Sequence, residues 1–274
     1  MTQPEDYLAG LFSLRGKTAL VTGGGSGVGW MITHALVAAG ATVYIASRRL
    51  ETCQQAVQRL AGLPGSCVAL QADLQTEDGV NALAAAMVEN VSSLNILVNN
   101  SGRSWGAPLQ KFPWQAWQDV MTLNVTAPFT LTRQLIPLLA KAAGTNDPAR
   151  VINIGSVMGT MPHGFPAYSY SASKAALHHV TRILSNELAG QHITVNAIAP
   201  GPFPSDMTAF FTAQPSAAAA VERSVPLGRI GRAEDMAGLV LCLCGAGGAF
   251  ISGAIIPLDG GMTAFRTPGI EQGL

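Results

Sequence analysis

The sequence predicts an α/β domain, a single doubly wound parallel sheet flanked by helices on both faces. Three observations predict it. Short apolar runs alternate with helix-patterned segments along nearly the whole chain, the order that parallel pairing through right-handed crossovers requires. Several of those runs are apolar on both faces, as strands between two helical layers must be. The 274 residues include 30 glycines, which suits a fold with many tight turns, and no linker or sequence repeat divides them.

The elements follow in order. KTALVTGG (17–24) is a short apolar run ending in glycines and reads as the first strand. GWMITHALVAAG (29–40) has helical apolar spacing and stops at a glycine. ATVYIAS (41–47) is strand-like, with β-branched and aromatic residues. A helix over 50–61, a strand CVALQADL (67–74) and a helix over 77–90 come next. LNILVNNSG (94–102) is a strand running into a turn, and 114–143 reads as one long helix. ARVINIGS (149–156) is a strand, 167–189 a long helix, and ITVNAIAPG (193–201) a strand. A helix over 234–245 and a strand over 254–258 close the pattern. Residues 200–231, rich in proline and alanine, interrupt the alternation. A connection of that length reads as a lid over a site, the alternative being a surface insertion.

Composition excludes several functions. The chain is 48% hydrophobic and 12% charged, with 16 basic and 16 acidic residues. A neutral chain with no basic run offers no footprint for nucleic acid or an anionic membrane. The start, MTQPEDYLAGLFSLRGK, lacks the basic and apolar regions of a signal peptide. MAGLVLCLCGAGGAFISGAII is long enough to span a bilayer, yet its clustered glycines read as a buried helix, a loop and a strand. Cys53, Cys67, Cys242 and Cys244 form no metal spacing, and the five histidines show no paired-ligand pattern, so no metal is expected.

TGGGSGVGW (22–30) sits between the first strand and the first helix. Its glycines let backbone N–H groups approach a pyrophosphate at a helix N-terminus. The spacing is T-G-x-x-x-G-x-G, with Gly23, Gly27 and Gly29, and not the common G-x-G-x-x-G fingerprint. A bare strand-to-helix turn also uses glycine, but the place after the first strand favours a phosphate site. At the end of the second strand, an acid would bind a ribose 2′-hydroxyl, and an arginine a 2′-phosphate. The residues there are Ser47, Arg48 and Arg49, with no acid before Glu51. A guanidinium holds a phosphate with two hydrogen bonds where a carboxylate would repel it, which points to NADP(H).

The stretch YSYSASK (168–174) holds the chemistry. Tyr170 and Lys174 lie four apart, on one face of a helix. A free phenol titrates near 10 and is a sluggish proton donor at neutrality. A neighbouring ammonium favours the phenolate, so Lys174 is expected to lower the Tyr170 pKa and ready it for proton transfer.

Ser156 ends the strand VINIGS, Asn124 lies in LNVT, and NNSG (99–102) follows the fourth strand. With TGGGSGVG these motifs, in order and spacing, resemble the short-chain dehydrogenases/reductases over about residues 14–262, and most of all their β-ketoacyl reductases. The resemblance implies a Rossmann-like fold, NADP(H) as cofactor and a homotetramer; the lack of signal-peptide features and the cysteine usage point to a cytoplasmic location. It implies Tyr170 as the general acid, Ser156 as a second hydrogen-bond donor to the carbonyl oxygen, and Lys174 as the ribose ligand. Asn124 would support a water chain that resupplies the proton. The glycine loop, with Gly25, Ser26 and Val28 beside its spaced glycines, would hold the pyrophosphate. Asp73 and Leu74 would meet the adenine, and Asn99, Ser101 and Gly102 would line the cofactor. Pro200, Gly201, Phe203 and Ser205 would hold the nicotinamide end, Ser205 standing where the family has threonine.

Two departures bear on substrate. NNSG places Ser101 where the family has alanine, a mild packing change. Thr130 and Asn186 stand where fatty-acid-synthesis reductases carry arginines that dock acyl carrier protein, which puts that partner in doubt. Trp105, Met158, His163, Phe165, Met207, Phe210 and Phe211 are the candidate substrate residues, mostly apolar, and equally readable as core. They point to a hydrophobic ketone, β-keto ester or β-ketoacyl thioester. The rival readings are a secondary alcohol dehydrogenase and a catalytically idle NADP-binding regulator; the presence of Ser156, Tyr170 and Lys174 argues against the second.

Overall fold

A computed structural model describes residues 4–162, 165–205 and 215–264. Seven strands form one all-parallel sheet: β1 (Thr18–Thr22), β2 (Thr42–Ser47), β3 (Ser66–Gln71), β4 (Ile96–Asn99), β5 (Ala149–Ile154), β6 (Ile193–Pro200) and β7 (Ile255–Leu258). Their order across the sheet is β3-β2-β1-β4-β5-β6-β7. The sequence reading of a doubly wound parallel sheet is therefore the fold observed, with strand order reversing between β1 and β4.

The helices are α1 (Pro4–Phe12), α2 (Gly27–Ala38), α3 (Leu50–Arg59), α4 (Glu77–Asn90), α5 (Trp114–Met121), α6 (Ala127–Ala142), α7 (Tyr168–Glu187), α8 (Pro215–Ser224) and α9 (Ala233–Cys244). Strand alternation sorts the core into two layers. Ala19 and Val21 of β1, Ile96 and Val98 of β4, and Ile152 and Ile154 of β5 pack with α2 and α9 through Ile32, Leu36, Met236 and Val240. Leu20, Leu97 and Val151 point the other way and pack with α4 and α6 through Leu83, Met87, Leu131 and Leu135. Both faces are buried, so these strands read as continuous apolar runs rather than as alternating ones.

Three features differ from the sequence reading. Helix α1 was not expected. Its Leu11 carbonyl lies where a Cβ on Gly245 would come within 2.2 Å, so that glycine lets α1 approach the end of α9. The long helix over 114–143 is broken by a π-helical segment, Thr122–Thr126. Pro128 has no N–H, so the Asn124 carbonyl lacks its α-helical donor four residues on. The interruption at 200–231 holds helix α8. No helix among the described residues is long and apolar enough to cross a membrane.

Candidate active site

The strands' C-terminal ends open into a cleft of about 560 Å³. Its lining begins at the β1–α2 loop, with Gly23, Gly25, Ser26, Gly27, Val28 and Gly29. The loop leaves no room for side chains at Gly23 and Gly29. A Cβ on Gly29 would lie 2.1 Å from the Gly23 carbonyl oxygen, and Gly23 has φ +66° and Gly27 φ +52°. Ser26 caps α2 without a side-chain capping bond, and no acid stands in the first turn. The donors and dipole at this N-terminus therefore face the cleft uncompensated by charge, which fits a pyrophosphate.

Ser47, Arg48, Arg49, Asp73 and Leu74 line the outer end of the cleft. The backbone there is fixed. Ser47 Oγ donates to the Arg49 carbonyl at 2.8 Å, and Gln71 Nε2 to the Arg48 carbonyl at 3.1 Å. Both arginines are exposed. Thr52, also in the lining, went unnoticed in the sequence because its site depends on α3 turning back over Gly25.

At the inner end stand Ser156, Tyr170 and Lys174. Helix α7 puts Tyr170 and Lys174 on one face, with the ammonium 5.6 Å from the centre of the phenol ring. Ser156, two residues past the end of β5, stands beside Tyr170 in the cleft lining. Its Oγ accepts from the Met158 N–H at 3.2 Å, capping a short 3-10 turn. The Tyr170 pKa runs opposite to the sequence expectation. Burial raises it and the Ser156 hydrogen bond lowers it, with burial the larger effect. Lys174 is itself buried, which pushes its ammonium down to about 8, and Nζ donates to the Ile154 carbonyl at 2.7 Å. Spacing alone could not show how burial shifts the two groups.

Asn124 lies in the π-helical segment, 1% exposed, behind the cleft wall rather than in it. Its amide pairs with the Arg103 backbone in both directions at 2.9 Å and donates to Ser173 Oγ at 2.9 Å. A Cβ on Gly102 would lie 3.2 Å from Asn124 Oδ1 and 3.5 Å from Lys174 Nζ, so Gly102 is the thin wall between them.

Asn99 is a correction. Its side chain does not face the cleft; Nδ2 donates to Thr132 Oγ1 at 3.1 Å and to Asn153 Oδ1 at 2.9 Å on the α6 side of the sheet. Asn100 lines the cleft instead, together with Ser101 and Gly102. Its Nδ2 donates to the Thr22 and Gly23 carbonyls at 2.9 and 3.2 Å, bracing the glycine loop.

Pro200, Gly201, Phe203 and Ser205 line the cleft where β6 ends. The Phe203 ring lies where a Cβ on Gly231 would come within 2.3 Å, pinning the two ends of the 202–231 segment together. From that segment Val221, Ser224 and Ile230 reach the cleft. Of the candidate substrate residues, Met158 and Phe165 line it, whereas Trp105 stands outside, 42% exposed. The loop after β4 carries Trp105 to the surface and puts Ser104 in the cleft lining. His163, Met207, Phe210 and Phe211 lie outside the described residues. No cluster of three potential metal ligands occurs among the described residues.

A family model described as enoyl-(acyl carrier protein) reductase matches residues 23–263. The chain belongs to the short-chain dehydrogenase/reductase family. It is 50% identical over 250 residues to the rhamnolipids biosynthesis 3-oxoacyl-[acyl-carrier-protein] reductase of Pseudomonas aeruginosa, covering 91% of this chain and 97% of that one. It is 34% identical over 259 residues to galactitol 2-dehydrogenase (L-tagatose-forming) of Cereibacter sphaeroides, covering 93% of this chain and 98% of that one. The solved Pseudomonas aeruginosa RhlG/NADP active-site complex shares the fold with a TM-score of 0.90 at 50% identity, over 92% of this chain and 98% of that one. In this short-chain dehydrogenase/reductase, Ser156, Tyr170 and Lys174 line the same cleft as the glycine-rich β1–α2 loop.

Proposed function

We propose that the chain is an NADPH-dependent reductase of hydrophobic ketones, β-keto esters or β-ketoacyl thioesters, giving a secondary alcohol. One observation carries the reading: Ser156, Tyr170 and Lys174 line one end of a cleft whose other end is lined by Arg48 and Arg49. The half-identical Pseudomonas aeruginosa relative, a 3-oxoacyl-[acyl-carrier-protein] reductase, and the RhlG/NADP complex support it.

The bound dinucleotide would supply the hydride, which adds to the carbonyl carbon as the C=O π pair moves to oxygen. Tyr170 gives its hydroxyl proton to that oxygen, and burial keeps the phenol protonated until then. Ser156 donates a second hydrogen bond where negative charge develops. Lys174 holds the nicotinamide ribose, and Asn124 sits behind Gly102 to support the water that returns a proton to Tyr170. Gly23, Gly25, Ser26, Gly27, Val28 and Gly29 hold the pyrophosphate, Asp73 and Leu74 the adenine, and Arg48 and Arg49 the 2′-phosphate. Ser47, Ser101 and Gly102 complete the cofactor side, and Pro200, Gly201, Phe203 and Ser205 the nicotinamide side. Met158 and Phe165 offer apolar contacts to the substrate. Thr130 and Asn186, in place of docking arginines, favour free or CoA-linked substrates over carrier-protein ones.

We read the chain as one domain, with 202–231 as its substrate lid. We also infer a homotetramer that covers Phe129 and Ile183 on α6 and α7, which are 41% and 53% exposed. Light scattering should return four times 28.4 kDa, and a monomer would overturn this. The function is tested by NADPH and NADH oxidation with ethyl acetoacetate, acetoacetyl-CoA and a bulky aryl ketone. Turnover with NADPH that is lost in Tyr170→Phe, with cofactor binding kept, is expected. Tight NADPH binding without turnover of any ketone would move the reading to a regulator.

A further inference from the structure

The proposed mechanism uses two side chains of a stripe on α7 and leaves a third unassigned. Tyr170, Lys174 and His178 are spaced four residues apart on α7, and all three stand at the same end of β5. Tyr170 stands beside Ser156 in the cleft lining, and Lys174 Nζ donates to the Ile154 carbonyl at 2.7 Å. His178 Nε2 accepts the Ser156 backbone N–H at 3.4 Å.

That N–H needs a partner that the sheet does not give it. The ladder to β6 ends one residue earlier, where the Gly155 N–H donates to the Ile198 carbonyl at 2.7 Å. Ser156 is 7% exposed, so water is not a ready substitute. The imidazole is 4% exposed. Burial, then the charges of Lys174 and Arg182, push its pKa down to about 4. The ring is therefore neutral at physiological pH and keeps one nitrogen as an acceptor.

The backbone is cut to fit the ring. A Cβ on Gly155 would lie 2.1 Å from His178 Nε2, and one on Gly159 would lie 2.9 Å from Cε1. The two glycines of GSVMG (155–159) are thus the space the imidazole occupies. Any side chain at 155 would push the ring off the Ser156 N–H.

We propose that His178 is a positioning residue for the reaction, holding the Ser156 backbone so that the serine hydroxyl stays aimed at the carbonyl oxygen beside Tyr170. No proton or electron passes through His178; it fixes the extended backbone of Ser156, φ −169° and ψ 152°, from which Oγ projects. This role rests on the reductase reading. The geometry also dictates the tautomer, since an accepting Nε2 requires the proton on Nδ1.

Two variants test it. His178→Leu keeps bulk without an acceptor; His178→Gln returns an oxygen near the place of Nε2. With NADPH and ethyl acetoacetate, His178→Leu is expected to lower kcat about tenfold or more, the loss of one hydrogen bond, with NADPH affinity within about twofold. His178→Gln should recover most of that loss. Wild-type kcat in His178→Leu, or an equal fall in both variants when both are folded, would overturn the role. If His178→Leu does not fold, Gly155→Ala is the second route: crowding the ring should lower kcat similarly, and unchanged kcat counts against the role. Nitrogen-15 NMR of the wild-type imidazole at neutral pH is independent of turnover. An Nδ1–H tautomer is expected, and an Nε2–H tautomer would remove the contact and the proposal. If the wild type reduces no ketone while the tautomer is as expected, the reductase reading fails and the role in catalysis falls with it, while the contact stands.

Discussion

The side-chain amide of Asn124 and the backbone of Arg103 form a two-way pair: Oδ1 accepts the Arg103 N–H and Nδ2 donates to the Arg103 carbonyl, each at 2.9 Å. The pair ties the π-helical segment to the loop that follows β4. Arg103 is tied a second time through its guanidinium, which meets Asp119 of α5 at 3.0 Å. One side chain therefore fixes both the helix break and the wall that Gly102 forms beside Lys174.

Removing that amide should cost stability before it costs chemistry. Asn124→Leu leaves the Arg103 N–H and carbonyl, both part-buried, without their partner, at about 1 kcal/mol or more for each. Asn124→Asp keeps the acceptor but loses the donor and buries a carboxylate against a carbonyl, so at neutral pH it should cost at least as much. Urea unfolding of the cofactor-free proteins checks this, with wild type above both variants. Equal midpoints would mean that the loop does not depend on this pair.

The arginines at the β2 end make a separate prediction. If they hold a 2′-phosphate, Arg48→Ala/Arg49→Ala should weaken NADPH binding about 10–100-fold, the worth of lost charge-assisted bonds. NADH binding should change by less than about twofold, because it offers no phosphate there. Titration at two salt concentrations is the check: added salt should weaken NADPH in the wild type and matter less in the double variant. A parallel loss for both cofactors would assign the arginines to the fold instead.

Much of this was legible in the sequence, and the misses have physical causes. The strands β1, β4, β5 and β6 declared themselves as apolar runs because both of their faces are covered. The glycine loop, the arginine pair and the Ser156, Tyr170 and Lys174 set are local or follow from helical spacing. The asparagines were misassigned although strand parity held the answer. Ile96 and Val98 face one core and Leu97 the other, so Asn99 shares the Leu97 side and Asn100 turns to the cleft. The pKa direction at Tyr170 was not legible, because it depends on how much water tertiary packing removes. His178 was missed because its signal is the pair of glycines at 155 and 159, which become informative only once α7 lies across β5.

Acid should expose the buried imidazole. An unfolded histidine titrates near 6.5, and His178 in the fold titrates at about 4, lowered by burial, Lys174 and Arg182. Between those values the unfolded chain takes the proton and the folded one does not. Stability is therefore lost as pH falls from about 6.5 toward 4, by about 2 kcal/mol after solvent screening. His178→Gln has no such group and should flatten that window while leaving the lower-pH carboxylate transitions in place. Unfolding free energies of the two proteins at pH 7, 5.5 and 4.5 would show it; parallel curves would mean the ring is already hydrated.

The lysine should show the opposite end of the scale. Lys174 is 4% exposed, and burial lowers its pKa from 10.5 to about 8. Below about pH 8 the fold carries a buried ammonium that an unfolded chain would hydrate. The shift corresponds to about 3 kcal/mol against folding. As pH rises from about 8 to 10.5, the folded protein sheds that proton first and the penalty disappears. Cysteine and tyrosine ionisation oppose the rise in both proteins, so the useful quantity is the difference between wild type and Lys174→Met. That difference should favour the variant most at neutral pH and shrink by about 3 kcal/mol by pH 10.5. The variant should also be inactive. More stable and idle is the expected signature of a residue kept for its chemistry at a cost to the fold. A pH-independent gap would mean that the ammonium is hydrated in solution. It would then carry no such cost.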